Sequence, residues 1–224
     1  MLNPARIRAV FFDIDGTLSD TDDAYLDHLQ RQTRPFTLLL GGRNQRPLLR
    51  RWMMITEKTA SHLYSLADRM GIDKQIDDML NWLSRLRGTH QPDWFRLMDG
   101  VAPMLEALAQ RFPLAIVTSR SQHSAETFLA EFGLRSHFRV VISALSAPRI
   151  KPDPAPVLAA AGALGIPGDA CLMVGDTRAD ILAGRRAGAQ TAGVLCGFGL
   201  RTDLERAGAD AILDTTADLP SLLS

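Results

Sequence analysis

Four short apolar runs in the chain are each followed, directly or after a loop, by side chains that can do chemistry. Carboxylates follow the first and last of these runs, hydroxyl groups follow the second, and a lysine lies in the loop after the third. In chain order these residues are Asp13, Asp15, Thr118, Ser119, Lys151, Asp176 and Asp180. If the runs are parallel strands of one sheet, their carboxyl ends lie at the edge where open α/β sheets bind ligands. We therefore expect these residues to form one site.

The chemistry of this set suggests a metal ion beside a phosphate group. Several carboxylates close together repel one another unless a cation lies among them. Oxygen-only ligands favour a hard ion, and a few carboxylates with water suit Mg²⁺. A hydroxyl group and the ammonium of Lys151, one of only three lysines in the chain, suit an anionic substrate group such as phosphate. For Asp180, a purely structural role or one behind the metal ligands is the open alternative.

The spacing of Asp13 and Asp15 suits two successive roles. A carboxylate at a strand tip can attack phosphorus once Mg²⁺ offsets the repulsion between two anions. A carboxylate two residues further on can lie on the same face of an extended segment. There it can protonate the leaving oxygen and later deprotonate water. Gly16 fits a chain that turns sharply just after this pair.

Predicted strands alternate with predicted helices, and this alternation positions the candidate residues. Near-continuous apolar strands separated by helical patterns are typical of a parallel sheet with helices on both faces, which is a Rossmann-like α/β fold. The predicted strands cover residues 9–12, 114–117, 140–142, 171–174, 191–195 and 211–213. The predicted helices cover residues 104–112, 124–132, 155–164 and 179–187.

The stretch from residue 19 to residue 97 interrupts this alternation. It contains no strand-like run bounded by turns, and residues 48–71 and 76–86 show the periodicity of amphipathic helices. We predict a second, smaller, all-helical domain at 19–97, inserted into an α/β core formed by residues 1–18 and 98–224.

Six arginines and no acidic residue lie between residues 31 and 56 of this insertion. One explanation is a solvated basic face that pairs with Asp20, Asp22 and Asp23 just before it. The alternative is that one or two of these arginines bind a second anionic group of the substrate, such as a carboxylate. The candidates for this role are Arg43, Arg46 and Arg50.

The charge balance of the chain excludes some partners. With 25 Lys and Arg against 25 Asp and Glu, bulk positive charge does not attract the chain to nucleic acid or to an anionic membrane surface. No apolar run approaches the roughly 20 residues of a membrane helix, and two cysteines are too few for a disulfide framework. We expect a cytoplasmic protein whose partner is a small phosphorylated molecule.

The ordered motifs resemble those of a known family. DIDGTL at 13–18 is followed by Thr118 after a predicted strand, by KPDP at 151–154 and by GDTRAD at 175–180. Their order and spacing resemble the four motifs of the haloacid dehalogenase (HAD) superfamily, over about residues 6–20 and 98–218. Residues 174–199 look especially like phosphoglycolate phosphatase-type members. The insertion at 19–97 is similar in position and helical character to the C1 cap of that family.

The resemblance implies a role for each motif residue. Asp13 would be the nucleophile, Asp15 the general acid and base, and Thr118 and Lys151 the groups that bind the phosphoryl oxygens. The implied Mg²⁺ ligands are Asp13, the backbone carbonyl of Asp15, Asp176 and Asp180, the last completing or orienting the set. Ser119 and Arg120 stand where relatives often have Asn and Lys, which leaves the role of Ser119 as a phosphate ligand open.

The resemblance also implies an activity. The related dehalogenases lack a carboxylate at the position of Asp15, so its presence favours phosphoryl transfer. We expect a Mg²⁺-dependent phosphatase that acts on a small phosphorylated metabolite, with phosphoglycolate as the best single candidate. The alternatives are a phosphomutase of the same family and a non-catalytic binding module that keeps the fold. A monomer and a homodimer are both compatible with the sequence.

Overall fold

The computed structural model describes residues 2–20 and 95–223, which form a six-stranded sheet flanked by helices. The strands are β1 (Ala9–Phe12), β2 (Leu114–Val117), β3 (Phe138–Ile142), β4 (Cys171–Gly175), β5 (Gln190–Val194) and β6 (Ala211–Leu213). The helices, numbered along these residues, are α1 (Val101–Ala109), α2 (Gln122–Glu131), α3 (Ala155–Leu164), α4 (Arg178–Arg186), α5 (Arg201–Ala207) and α6 (Leu219–Leu222). None of these helices is both long enough and apolar enough to cross a bilayer.

The six strands pair in parallel, in the order β3-β2-β1-β4-β5-β6. Strand β1 is central, and Phe12 is aligned with Ile116 of β2 on one side and with Val174 of β4 on the other. The chain moves outward from β1 to β3 and then crosses back to β4. Such a reversal of strand order opens a crevice at the carboxyl ends of the strands. The predicted Rossmann-like sheet is confirmed.

Alternate residues of the central strands pack on opposite faces of the sheet. Val10 and Phe12 of β1 belong to the apolar cluster formed with α1 and α2. Ala9 and Phe11 belong to the cluster formed with α3 and α4. All four side chains are fully buried, because helices cover both faces. This two-sided burial is the reason that the strand is continuously apolar rather than alternating.

Among the predicted helices, the first differs most from its predicted position. The periodicity predicts the first core helix at 104–112, whereas α1 spans Val101–Ala109. Pro103 lies in its first turn, where the missing N–H removes no intrahelical hydrogen bond. At the other end the chain tightens, and the N–H of Arg111 donates to the carbonyl of Leu108 at 3.0 Å. The helix therefore begins and ends three residues earlier than predicted.

Two backbone segments at the ends of the described ranges run side by side. The N–H of Asp20 donates to the carbonyl of Arg96 at 2.7 Å, and the N–H of Met98 donates to that of Leu18 at 3.0 Å. Residues 21–94 between them lie outside the described residues. The predictions that fall there are most of the inserted helical domain and the candidate residues Arg43, Arg46 and Arg50.

Candidate active site

The carboxyl end of β1 places Asp13 at the centre of the sheet edge. Its backbone N–H extends the pairing of β1 with β4 by donating to the carbonyl of Val174 at 3.1 Å. Thr118 directly follows β2, and Asp176 directly follows β4, so the parallel register brings both residues to the same edge. Asp13 retains 8% of its exposure, which leaves a nearly enclosed carboxylate that a ligand can still reach.

The ammonium of Lys151 lies between two carboxylates. Its Nζ atom is 2.9 Å from Oδ1 of Asp13 and 2.6 Å from Oδ1 of Asp180. Nζ also donates a hydrogen bond to the carbonyl of Val117 at 2.9 Å. The side chain is only 4% exposed, and a buried ammonium is tolerated only when it is paired and hydrogen-bonded in this way. The predicted placement of Lys151 beside the acidic residues therefore agrees with the structure.

Burial and charge raise the pKa values of both Asp13 and Lys151. Burial raises the pKa of Asp13 to about 7; the ammonium of Lys151 opposes this increase, and the carboxylates of Asp180 and Asp15 add to it. Burial lowers the pKa of Lys151, but Asp13 and Asp180 outweigh this effect and raise it above its ordinary value. Lys151 is therefore a cation at neutral pH, whereas Asp13 takes up a proton near neutrality unless a further cation faces it.

Three carboxylates form a compact cluster at the sheet edge. Asp13, Asp176 and Asp180 each offer one oxygen, and these oxygens lie within 4.8 Å of one another. Asp176 is fully buried, and its Oδ2 accepts a hydrogen bond from the N–H of Phe198 at 2.9 Å. An all-oxygen donor set of this kind suits a hard divalent cation.

Both carboxylate oxygens of Asp180 have partners within the protein. Oδ1 faces Lys151, while Oδ2 accepts hydrogen bonds from the backbone N–H of Thr177 at 3.0 Å and from its hydroxyl at 2.6 Å. Thr177 precedes α4 and Asp180 lies in its first turn, so this pair satisfies a donor at the helix start. These contacts favour Asp180 as an orienting residue over Asp180 as a direct metal ligand.

Gly16 allows the chain to turn directly after Asp15, close to the carboxylate of Asp176. Its φ angle is +68°, in the left-handed region that favours glycine. A Cβ atom at this position would overlap the carboxylate of Asp176. The turn that the sequence predicts after Asp15 is therefore present, and it also makes room for a carboxylate from β4.

Asp15 is paired with Arg120, a residue for which the sequence predicts no functional role. Nε of Arg120 lies 3.0 and 2.8 Å from the two carboxylate oxygens of Asp15, and Nη2 lies 2.5 Å from Oδ1. The only signal in the sequence is that Ser119 and Arg120 depart from the pattern of the resembling family. The partner could not be read from that departure, because 105 positions separate Arg120 from Asp15.

The two predicted phosphate-binding hydroxyl groups differ in their surroundings. Thr118 is buried, and its Oγ1 accepts a hydrogen bond from the N–H of Arg120 at 3.2 Å. Ser119 is exposed. Thr118 thus lies within the site architecture, while the role of Ser119 stays a prediction.

Comparisons with known proteins agree with this geometry. The sequence model of the family described as haloacid dehalogenase-like hydrolase matches residues 10–194. The chain is 31% identical to the phosphoglycolate phosphatase of Xanthomonas campestris pv. campestris over 202 residues, which cover 88% of this chain and 86% of the relative. It is 28% identical to the pyrophosphatase PpaX of Anoxybacillus flavithermus over 227 residues, which cover 97% of each.

The fold also matches solved structures. That of a candidate β-phosphoglucomutase from Thermotoga maritima has a TM-score of 0.68 and 23% identity, and the match covers 97% of this chain and 98% of the other. At this identity the likeness concerns the fold alone. The family model spans β1 to β5 and includes every motif residue of the sheet edge. The chain therefore belongs to the haloacid dehalogenase-like hydrolases.

Proposed function

We propose that this chain is a Mg²⁺-dependent phosphatase that hydrolyses a small phosphorylated metabolite through an aspartyl-phosphate on Asp13. The observation that carries the proposal is the setting of the Asp13 carboxylate at the tip of the central strand. It lies 2.9 Å from the ammonium of Lys151 and in a cluster with Asp176 and Asp180. Relatives named phosphoglycolate phosphatase and pyrophosphatase support phosphoryl transfer to water as the reaction class.

The charges and donor atoms of the site fit Mg²⁺. Four carboxylates and two cations leave two formal negative charges in excess, and a divalent cation offsets them: Asp13, Asp15, Asp176 and Asp180 against Lys151 and Arg120. Asp13, Asp176 and the backbone carbonyl of Asp15 would hold the ion, with Asp180 orienting the set. When bound, Mg²⁺ would reduce the repulsion between Asp13 and an incoming phosphate and would polarise the phosphoryl oxygens.

In the proposed reaction, each of four residues has a role. A carboxylate oxygen of Asp13 attacks phosphorus, and the bond between phosphorus and the leaving oxygen breaks. Lys151 and Thr118 bind the phosphoryl oxygens while charge develops on them. Asp15 gives a proton to the leaving oxygen, and it later takes a proton from the water that hydrolyses the aspartyl-phosphate.

The substrate is the finer part of the proposal. Phosphoglycolate and pyrophosphate are the two leading candidates, because relatives of similar identity carry both names. A substrate with a carboxylate would need a second cationic group, and Arg43, Arg46 and Arg50 are the candidates that the sequence offers. Truncating each arginine to Ala should lower kcat/KM for phosphoglycolate more than for pyrophosphate if one of them binds that carboxylate.

A direct experiment tests the phosphatase activity. The purified protein is incubated with 4-nitrophenyl phosphate, phosphoglycolate and pyrophosphate, with Mg²⁺ or with EDTA, and inorganic phosphate is measured. We expect release that needs Mg²⁺ and is lost in Asp13→Asn. Unchanged activity in Asp13→Asn would remove Asp13 as the nucleophile, and inactivity with every metal would favour the non-catalytic module. Retention of the phosphoryl group on an isomeric product of a sugar phosphate would identify a phosphomutase instead.

Three further parts of the proposal rest on the sequence. They are the division into a core (1–18 and 98–224) and a helical domain (19–97), a cytoplasmic location, and a monomeric or homodimeric state. Size-exclusion chromatography with light scattering distinguishes the two oligomeric states.

A further inference from the structure

Arg120 is a charged residue in a fully buried position. Its exposure is 1%, and it is among the largest fully enclosed side chains of the described residues. Burying a guanidinium is costly unless its donors are paired. The partners of Arg120 come from three separate segments of the chain, since Asp15, Ser124 and Phe95 all contact its guanidinium.

The partners of Arg120 form a specific arrangement around the guanidinium. Nε and Nη2 face the carboxylate of Asp15, with Nε at 2.8 and 3.0 Å and Nη2 at 2.5 Å. On another side Nη1 donates to Oγ of Ser124 at 2.9 Å. The ring of Phe95 stacks with its centroid 4.8 Å from Cζ, a favourable position for a cation over an aromatic face. The guanidinium is therefore fixed on the sides that face away from Asp15.

The Arg120 guanidinium constrains the orientation of the Asp15 side chain. The Asp15 side chain is 27% exposed, so surrounding packing constrains it less than it constrains Arg120. A planar guanidinium that contacts both oxygens of a carboxylate sets the plane of that carboxylate as well as its position. An acid that must deliver a proton to one particular oxygen gains from such a constraint, since small misplacements reduce catalysis strongly.

The backbone of Arg120 adds a second link to the site. Its N–H donates to Oγ1 of Thr118 at 3.2 Å, so one residue contacts both the proposed general acid and a proposed phosphate ligand. We propose that Arg120 is a positioning residue for Asp15: it holds the carboxyl group in the orientation from which the proton reaches the leaving oxygen. This inference rests on the proposed phosphatase function.

Leaving-group dependence separates positioning from a purely structural role. Proton donation matters greatly when the leaving group is a basic alkoxide and little when it is a weakly basic nitrophenolate. The quantity to measure is kcat/KM with Mg²⁺, which covers the steps up to transfer of the phosphoryl group to Asp13 and excludes hydrolysis of the common intermediate. The substrates are 4-nitrophenyl phosphate, phenyl phosphate and phosphoglycolate.

The variants are Arg120→Met, which removes the cation at similar volume, and Arg120→Lys, which keeps the charge without the planar fork. We expect Arg120→Met to lose about 100-fold in kcat/KM on phosphoglycolate, less than about fivefold on 4-nitrophenyl phosphate, and an intermediate factor on phenyl phosphate. Arg120→Lys should fall between Arg120→Met and the parent. Ser124→Ala is the matched control, because it removes the hydrogen bond of Nη1 and leaves Nε and Nη2, which face Asp15, in place. It should lower kcat/KM for all three substrates by the same small factor.

A double-mutant cycle tests whether Arg120 acts through Asp15. In an Asp15→Asn background, Arg120→Met should cause no further selective loss on the basic leaving groups. Equal losses on all substrates in Arg120→Met and Arg120→Lys, or independent losses in the cycle, would overturn the positioning role while leaving the phosphatase assignment intact. A parent protein that releases phosphate from none of the substrates would overturn both.

Discussion

Lys151 and Asp180 form a buried ion pair in which Nζ and Oδ1 are 2.6 Å apart, and Asp180 also bonds the residue that precedes α4. One carboxylate therefore positions the ammonium beside Asp13 and stabilises the start of a helix. The location of the cation and the stability of this helix end are coupled, and substitutions in the pair should affect catalysis and folding together.

Lys151→Met should damage both activity and stability. It removes the cation between the Asp13 and Asp180 carboxylates and leaves their buried charges facing each other. We expect a loss of about 3 kcal/mol in the free energy of unfolding without metal, as for other broken buried pairs. Turnover of 4-nitrophenyl phosphate with Mg²⁺ should fall by about 100-fold or more, because a donor to the phosphoryl oxygens is lost. Urea unfolding and steady-state kinetics measure the two effects.

A matched control for this substitution lies two residues away. Arg149 is 41% exposed and pairs with Asp153 at 3.4 Å. Arg149→Met removes a cation from the same loop, and it should cost less than about 1 kcal/mol because the Arg149 side chain is exposed. If both variants were equally destabilised, the loss in Lys151→Met would reflect the loop rather than the buried pairing.

Asp180→Asn should be far more harmful than the same change at an equivalent cap. Asp180 and Asp218 each accept a hydrogen bond from the N–H of a threonine three residues earlier. Asp218 is exposed. Asp180, in contrast, is buried and forms an ion pair with Lys151. We expect Asp180→Asn to lower the free energy of unfolding by about 2–3 kcal/mol and turnover at least tenfold. Asp218→Asn should cost about 0.5 kcal/mol and leave turnover unchanged; comparable effects in the two variants would show that Lys151 does not depend on Asp180.

Mg²⁺ binding should weaken as the pH falls through about 7, the pKa to which burial raises Asp13. A proton on Asp13 competes with the metal, because metal ligands must be deprotonated. With a pKa near 7, the apparent Kd for Mg²⁺ should be about tenfold higher at pH 6 than at pH 8. Calorimetric titration measures this ratio. In Asp13→Asn the ratio should be close to one, and a parent protein with equal affinities at both pH values would contradict the assignment.

The same raised pKa predicts a stability trend without Mg²⁺. A group that binds a proton more tightly in the folded than in the unfolded chain stabilises the fold below its unfolded pKa of 3.8. That contribution is lost as the pH rises through about 7. The free energy of unfolding of the parent, measured relative to Asp13→Asn, should therefore fall between pH 5 and pH 8. Added Mg²⁺ should reverse the fall at pH 8, because it favours the carboxylate.

Gly16→Ala should abolish activity, because the added Cβ overlaps the carboxylate of Asp176. Gly133→Ala is the control that measures backbone strain alone. Gly16 and Gly133 have φ angles of +68° and +65°, so Ala is strained at both, by about 1–2 kcal/mol. A Cβ at Gly133 would meet nothing within 4 Å, whereas one at Gly16 would overlap the Asp176 carboxylate. We expect both variants to lose stability, but only Gly16→Ala to lose Mg²⁺ affinity and turnover. Normal Mg²⁺ affinity in Gly16→Ala would argue against Asp176 as a metal ligand.

Local sequence signals were sufficient to predict the sheet and most of its edge. Apolar runs such as Ala9–Phe12 are recognisable because they are buried on both faces, and polar residues directly after them must lie at the carboxyl ends. The sequence therefore predicts Asp13, Thr118 and Asp176 at this edge, and in the structure they directly follow β1, β2 and β4. Lys151 was found through its rarity and its motif rather than through any strand.

The pairing of Arg120 with Asp15 could not be predicted in this way. An arginine in a loop is usually solvated, and its burial here arises from Phe95, Ser124 and Asp15, which are brought together only by the tertiary fold. Likewise, the second use of Asp180, as a cap for α4 as well as a partner of Lys151, depends on distances that spacing does not supply.

The backbone of Leu18–Asp20 pairs with that of Arg96–Met98, so the core could keep its topology with a much shorter connection between them. Because the N–H of Asp20 already bonds the carbonyl of Arg96 at 2.7 Å, these ends meet as the two arms of a hairpin do. A turn of about two to five residues could replace residues 21–94 without moving either arm. The shortened chain would keep every motif residue of the sheet edge, and it would be a minimal scaffold for the chemistry of that edge.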